Sequence, residues 1–429
     1  MYTVDMLLKR IESGHYDRTF ARLYGNEIDK QRARYRQAVL KFSEIYGSER
    51  KAVLFSAPGR TEIGGNHTDH NHGRVLAASV NLDIIAVASL SDQNAIRIKS
   101  EGFDEDTVSL NDLSPKQEDQ GHSSALIRGL AEKFAKNKFK IGGFDAYTTS
   151  NVLKGSGLSS SAAFEVLVGT VLNHLYNDGN VGAVEIAKMA QYAENVHFGK
   201  PCGLMDQTAS AVGGIITIDF ADIQNPLIRK VDFDFASTGY NLCIVDTGGD
   251  HADLTHEYAS ITVDMKAVSK SLGVNFLRET NMDMLLKSLP LVRKNHGDRA
   301  ALRAIHFLRD NQRVSSQVNA LQSGDFDEFL RLVIESGHSS FEYLQNVYSI
   351  SNTNEQGLSL ALCLAQGILD GEGAWRVHGG GFAGTTQNFV PSSLLPMFCS
   401  QIESVFGKGS CHVLTIRPVG GVCLDNLNI

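Results

Sequence analysis

Ten consecutive residues constrain this chain more than any others. Lys154-Gly155-Ser156-Gly157-Leu158-Ser159-Ser160-Ser161-Ala162-Ala163 sets small residues and hydroxyls directly before the apolar run Phe164 to Leu175. A helix beginning there offers free N–H groups and the positive end of its dipole, and the glycines let an anion approach the backbone. The segment therefore reads as a phosphate cradle. The competing reading is a plain serine cap, which needs one hydroxyl and not a run flanked by glycines. No Gly-Lys-Ser/Thr closes the loop, so it is not a Walker A motif.

The chain has 429 residues, enough for two or three domains with cores of their own. Its hydrophobic content of 42% and charged content of 21% are those of a globular protein. The net charge of −8 and the lack of a basic stripe argue against nucleic acid as a partner. Cys202, Cys243, Cys363, Cys399, Cys411 and Cys423 are scattered and form no metal-type pair, so reduced thiols and a cytoplasmic location are expected. The first residues lack the basic-then-apolar pattern of a signal peptide, and no apolar stretch is long enough to span a membrane.

Residues 1–50 carry apolar positions at helical spacing, and the part up to about Arg36 reads as a surface helical hairpin or an interaction arm. From Ala52 the pattern turns to strands, expected at 52–56, 75–80, 84–89 and 95–100. The polar, acidic segment 103–121 reads as a loop or short edge structure. Helices are expected near 123–136, 161–177 and 183–197, and strands again at 214–218 and 240–245. The second half reads as helical from about 253 to 370, closing with strand-like pieces at 374–377, 386–390 and 411–416. Two mixed runs imply an α+β protein with two lobes, divided near Ala221–Pro226.

Two further motifs carry chemistry. Gly379-Gly380-Gly381-Phe382-Ala383-Gly384 contains a formal G-x-G-x-x-G, but Thr385-Thr386-Gln387-Asn388-Phe389-Val390 follows as strand rather than helix, which argues against a dinucleotide site. A tight glycine turn is the simpler reading. The segment from Ala57 to Gly73 holds His67, Asp69, His70 and His72, which invite a zinc reading and with it a metallohydrolase. No second cluster of that density follows. A glycine-rich loop bearing Arg, Asn, His and Asp better suits the hydroxyls of a sugar, with a plain polar surface loop as the alternative.

In this order the three motifs resemble the GHMP small-molecule kinases, and the histidine-rich one resembles the galactokinases. Their opening signature reads Pro-Gly-Arg-Val-Asn-Leu-Ile-Gly-Glu-His-Thr-Asp-Tyr-Asn-Gly-Gly. The chain matches it at Pro58, Gly59, Arg60, Gly65, His67, Thr68, Asp69, Asn71 and Gly73. The second family motif, Pro-x-Gly-x-Gly-Leu-Ser-Ser-Ser-Ala, matches from Gly155 to Ala162, with Leu153 in place of Pro. The third matches at Gly379–Gly384, with Ala383 for one glycine. Pro201-Cys202-Gly203-Leu204-Met205-Asp206-Gln207 resembles the segment that carries the family's catalytic aspartate.

The resemblance implies a two-lobed GHMP fold, with a ribosomal-S5-like α/β lobe over 37–225 and a ferredoxin-like α+β lobe over 226–429. The active site would lie between them, with residues 1–36 as a helical extension. It implies an ATP-dependent sugar 1-kinase acting on galactose. Asp206 falls at the catalytic base and Arg60 at the arginine beside it. Arg60, Asn66, His67, Thr68, Asp69, Gly203, Asp206 and Tyr258 fall at or near sugar contacts. Gly155, Ser156, Gly157, Leu158, Ser159, Ser160 and Ser161 fall on the ATP phosphate loop, and Ser100 on a further nucleotide contact. Ser161 and Glu194 fall at the Mg²⁺ ligands, a hydroxyl and a carboxylate being suitable hard donors.

The match departs at Asn66, where the family has Glu, at His70, where it has Tyr, and after Tyr258, where Ala259-Ser260-Ile261-Thr262 replaces an Arg-containing segment. The family Glu is expected to bind hydroxyls toward C6. Its loss would leave a site that tolerates a carboxylate there, so galacturonate or another modified galactose is an alternative substrate. A sensor that binds sugar and ATP without turnover is an alternative of another class. The sequence does not fix the oligomeric state, and a monomer is compatible with it.

Overall fold

The computed structural model describes residues 1–152, 157–249 and 254–427. Three helices open the chain, α1 (Val4–Glu12), α2 (Asp17–Tyr24) and α3 (Ile28–Tyr46), preceded by the short strand β1 (Tyr2–Thr3). Seven strands follow: β2 (Lys51–Gly64), β3 (Arg74–Leu90), β4 (Ala95–Ser100), β5 (Glu105–Ser109), β6 (Phe144–Ser150), β7 (Ile215–Asp219) and β8 (Leu227–Val231). Between them lie α4 (Ser123–Lys136), α5 (Ser160–Tyr176), α6 (Ala183–Tyr192) and α7 (Met205–Val212).

These strands build one mixed sheet in the order β1-β2-β3-β6-β4-β5, with β7 on β3 and β8 on β7. Strand side chains alternate between faces. Val53, Phe55 and Ala57 point to the core under α4–α7, while Ala52 and Leu54 point to a second core. That second core is closed by α1–α3, whose Phe20, Tyr24, Tyr35, Val39 and Phe42 are buried against Ile85 and Val87. The opening helices are therefore a packed layer of the sheet. Of the two readings, a surface helical hairpin or an interaction arm, this burial removes the arm.

The remaining elements are β9 (Tyr240–Asp246), α8 (Thr255–Ser271), α9 (Met282–Ser323), α10 (Phe326–Ser339), α11 (Gly357–Leu369), β10 (Ala374–His378), β11 (Thr385–Pro391), α12 (Leu395–Phe406), β12 (Cys411–Leu414) and β13 (Val422–Cys423). A four-stranded antiparallel sheet runs β10-β11-β9-β12. β13 returns to pair with β2. α9 is broken at Gly297, whose backbone is non-helical.

Most elements fall where the sequence placed them, and the differences have physical causes. The strands expected at 75–80 and 84–89 are one strand, because the polar residues between them are satisfied internally. Asn81 bonds Thr415 in both directions at 3.1 and 2.9 Å, and Asp83 is an ion-pair centre. β6 was not anticipated. Its Asp145 is buried between Arg50 and Arg97 at 2.8 and 2.6 Å, which lets a charge sit inside a sheet. β8 was also missed. It extends the first sheet past the Ala221–Pro226 segment, and the chain crosses to the second sheet between Val231 and Tyr240.

Candidate active site

β2 carries Arg60 on the wall of a cavity of about 430 Å³. α7 begins one residue before Asp206, so this carboxylate sits in the first turn, at the positive end of the helix. The two side chains meet in a bidentate pair, Nε–Oδ1 and Nη2–Oδ2 both 2.6 Å. The same guanidinium donates through Nη1 to the Gly157 carbonyl, and the Arg60 N–H donates to the Leu158 carbonyl at 3.0 Å. One arginine thus joins the strand, the catalytic-type helix and the end of the serine-rich loop. Burial pushes the Asp206 carboxyl up, but the Arg60 charge and hydrogen bonds, with a further bond from Ser159, hold it below the ordinary carboxylate value. Asp206 is an ionised acceptor whose side chain keeps 30% of its surface open.

His67, Asp69 and His70 form a second wall. His67 hydrogen-bonds the Gly380 carbonyl through Nε2 at 2.9 Å, and its ring packs 4.8 Å from that of Tyr258. Burial lowers its pKa to about 4, so it is a neutral imidazole. With Nε2–H given to a carbonyl, that nitrogen is not available to a metal. Gly203 faces Asp69 so closely that a Cβ there would lie 2.6 Å from Oδ2, so any larger residue would push the Asp69 carboxylate aside. Tyr258 and the glycine turn Gly379–Phe382 complete the lining. Gly381 has φ +78°, and a Cβ on it would lie 2.0 Å from the Asn346 carbonyl. The third motif is a cavity wall followed by strand β11, as its sequence context required.

Behind this floor, Ser161 on α5 places Oγ 3.4 Å from Glu194 Oε1. Glu194 lies in a π-helical extension of α6, Ala193–Phe198, and is buried. Gln207 donates to its Oε2 at 2.8 Å and to Glu165 Oε2 at 3.1 Å, and Lys200 stands 3.6 Å from Oε1. Two hard oxygen donors at a loose separation, with orphaned Gln207 Oε1 and Glu165 Oε1 beside them, fit a small cation that brings its other ligands with it. Among the described residues no group of three or more His, Cys, Asp or Glu could hold a metal alone.

The family described as GHMP kinases N terminal domain matches residues 125–214, and the galactokinase galactose-binding signature matches residues 40–90. A galactokinase of Streptomyces coelicolor is 33% identical over 376 residues, covering 85% of this chain and 91% of its own. The Bos taurus galactokinase is 29% identical over 374 residues, covering 85% and 90%. The crystal structure of Lactococcus lactis galactokinase complexed with galactose superposes with a TM-score of 0.77 at 24% identity, covering 90% of this chain and 98% of its own. A mevalonate kinase superposes with a TM-score of 0.61 at 13% identity over 85% of this chain.

The chain belongs to the galactokinase family.

Against the galactokinase signature, the site residues sort into two groups. Arg60, His67, Asp69, Gly203, Asp206 and Tyr258 line one cavity. Asn66 and Thr68 do not. Thr68 bonds the Gly65 and Arg74 carbonyls at 2.8 and 2.5 Å and holds the turn. Asn66 is fully buried: Nδ2 donates to Glu62 Oε1 at 3.0 Å and to the Gly379 carbonyl at 2.7 Å, while Oδ1 accepts from Ser340 and Asn346. Both were expected at sugar contacts; in the structure both side chains are fully buried and outside the lining of this cavity, and the Asn66 amide is fully hydrogen-bonded. Ser100, at the end of β4, accepts from Thr148 at 2.9 Å away from this cavity. Gly155 and Ser156 lie outside the described residues. Leu158 is buried, Ser159 has φ +56° at the start of α5, and Ser160 opens that helix.

Sequence reasoning missed Glu62, Lys200 and Met205, which also line the cavity. Glu62 was within reach of it. Residues two apart on a strand share a face, so Arg60 brings Glu62 with it. The sequence reading counted the loss of a carboxylate at Asn66; the structure puts one on the cavity wall at Glu62.

Proposed function

We propose that this chain transfers the γ-phosphoryl group of ATP to the anomeric hydroxyl of galactose, giving galactose 1-phosphate and ADP. The observation that carries the reading is the bidentate Arg60–Asp206 pair, open to the cavity and tied to the loop before α5. In this reading the C1 hydroxyl gives its proton to Asp206 as its oxygen attacks the γ-phosphorus, and the bond to the ADP oxygen breaks. A positioned base contributes ~10²–10⁴ in rate. Arg60 keeps Asp206 ionised and faces the charge on the transferring group. His67, Asp69 and Tyr258 position the sugar. The N-terminus of α5 and residues 155–161 hold the phosphates, with Ser100 as a further nucleotide contact. Ser161 and Glu194 would hold Mg²⁺, which when bound neutralises phosphate charge.

We further propose a working division into the helical layer, a first lobe that ends after Val231, and a second lobe from about Tyr240. A cytoplasmic location fits the six free cysteines, and among the described residues no helix is long and apolar enough to cross a membrane.

The test is ADP release over a panel of sugars, comparing wild type with Asp206→Asn. Release that depends on galactose and falls at least a hundredfold in the variant is the expected result. Sugar binding without ADP release would mean a sensor, and release that survives Asp206→Asn would remove the assigned base.

A further inference from the structure

Laid along the family signature, the chain does more than lose a glutamate. The signature's Asn falls on position 62 and its Glu on position 66, and this chain has Glu62 and Asn66. The two residue types have changed places. They remain partners, since Asn66 Nδ2 donates to Glu62 Oε1 at 3.0 Å.

The exchange alters which group reaches the cavity. Asn66 has no hydrogen-bonding capacity left for a ligand: its amide is used by Glu62 and Gly379, and its oxygen by Ser340 and Asn346. Glu62 lines the cavity. Its Oε1 is fixed by Asn66 and by the fully buried Arg376, whose Nη2 donates at 2.8 Å while Nη1 holds the Ile63 carbonyl at 2.6 Å. Its Oε2 has no hydrogen-bond partner among the described residues, although the side chain is only 7% exposed. One oxygen is thus anchored, and the other is an unspent acceptor at the cavity wall.

Its position selects which part of a ligand it meets. Arg60, Thr61 and Glu62 pair in register with Ser79, Ala78 and Ala77, so Glu62 follows Arg60 on the same face. Two residues of strand span ~6.6 Å. With the reacting hydroxyl at Asp206 beside Arg60, a hexose lying along β2 brings its far end to Glu62.

We propose that Glu62 determines sugar specificity, its free carboxylate oxygen accepting a hydrogen bond from the hydroxyl at the C6 end of the sugar and repelling a carboxylate there. The role follows the carboxylate to position 62. This rests on the galactose kinase reading above, and it rejects galacturonate as the preferred substrate.

The experiment measures kcat/KM for galactose, 6-deoxygalactose and galacturonate with wild type and Glu62→Gln, alongside calorimetric binding of the same sugars and thermal unfolding. A hydrogen bond to a charged group is worth ~10–100-fold. Wild type is expected to favour galactose over 6-deoxygalactose by that factor and over galacturonate by more. In Glu62→Gln the galactose KM rises by a similar factor with kcat within about threefold, and both preferences shrink at least about fivefold. The double exchange Glu62→Asn with Asn66→Glu, which restores the family order, is expected to recover the preference for galactose. Preferences in Glu62→Gln that stay within twofold of wild type, by rate and by binding, overturn the proposal even if stability falls. Absence of ADP release in wild type overturns the kinase reading instead, while the binding ratios still decide the role of Glu62.

Discussion

Asp206 and Asp83 are both carboxylates held by arginine, and of the two only Asp206 faces the cavity. Asp206 has both oxygens on Arg60, and 30% of its side chain stays open. Asp83 sits under the opening helices with a side chain 0% exposed. Arg34 donates to its Oδ1 at 2.5 Å, and Tyr24, Ser56 and Arg417 converge on Oδ2. In both, burial pushes the carboxyl up and arginine outweighs it, leaving each below the ordinary value. Charge alone does not separate a catalytic centre from a structural one. What separates them is spare capacity: Asp83 is saturated from every side, while Asp206 has lone pairs left for a proton that arrives from outside.

The sharpest way to break this contrast is to neutralise each acid. Asp206→Asn should cost ~10²–10⁴ in kcat and lower the unfolding midpoint less than Asp83→Ala, since its side chain is 30% open and Asn keeps an acceptor for Arg60, read by ADP release and thermal denaturation. Asp83→Ala should do the reverse. Removing one member of a buried ion pair costs about 3–5 kcal/mol, and here it strands two arginines. Urea unfolding should show that loss, while kcat of the folded fraction stays within about threefold of wild type. Loss of activity at unchanged stability in Asp83→Ala would erase the distinction.

Proton linkage gives a second handle. Asp83 is depressed in the folded state, so its stabilisation is present above the unfolded carboxylate value of about 3.9 and is lost as pH falls below it toward the folded value. At Asp206 the same depression keeps the proposed base ionised through neutral pH. Arg60→Met removes the charge that opposes burial, so the acid limb of kcat/KM should move to higher pH, with a loss of ~10²–10³ in kcat from the missing donor. A limb that does not move would show that Arg60 does not set the protonation of Asp206.

How much of this was readable beforehand depended on whether a residue's partners are near it in sequence. The serine-rich helix start and the glycine turn are local patterns, and their elements formed where expected; the Pro201–Gln207 segment was legible as a motif, but helix α7 that begins in it was not. Asp83 was read as a break between strands because its partners, Arg34 and Arg417, are far away along the chain. The opening helices read as an arm for a related reason: their apolar stripe is plain, but the sheet face that covers it is not. Asn66 was misread by the same logic. A position in a motif does not say which way a side chain turns, and Ser340 and Asn346, which fix it, come from the other lobe. Glu62 went unnoticed although strand alternation places it beside Arg60.

The smallest effects come from two serines, one in each centre. Ser56 donates to Asp83 and accepts from Arg417 at 2.6 Å. Ser56→Ala leaves buried groups unsatisfied and should cost about 1–3 kcal/mol in urea unfolding, with kcat unchanged. Ser161 has a looser partner, Glu194 at 3.4 Å, and its hydroxyl is free to serve another group. Ser161→Ala should therefore barely move stability, while the Mg²⁺ concentration for half-maximal rate rises roughly fivefold, the worth of one neutral ligand at about 1 kcal/mol. Titrating Mg²⁺ at saturating sugar reads this directly. If Ser161→Ala instead destabilised the fold as Ser56→Ala does, Ser161 would belong with the saturated centre, and its pairing with Glu194 would be structural.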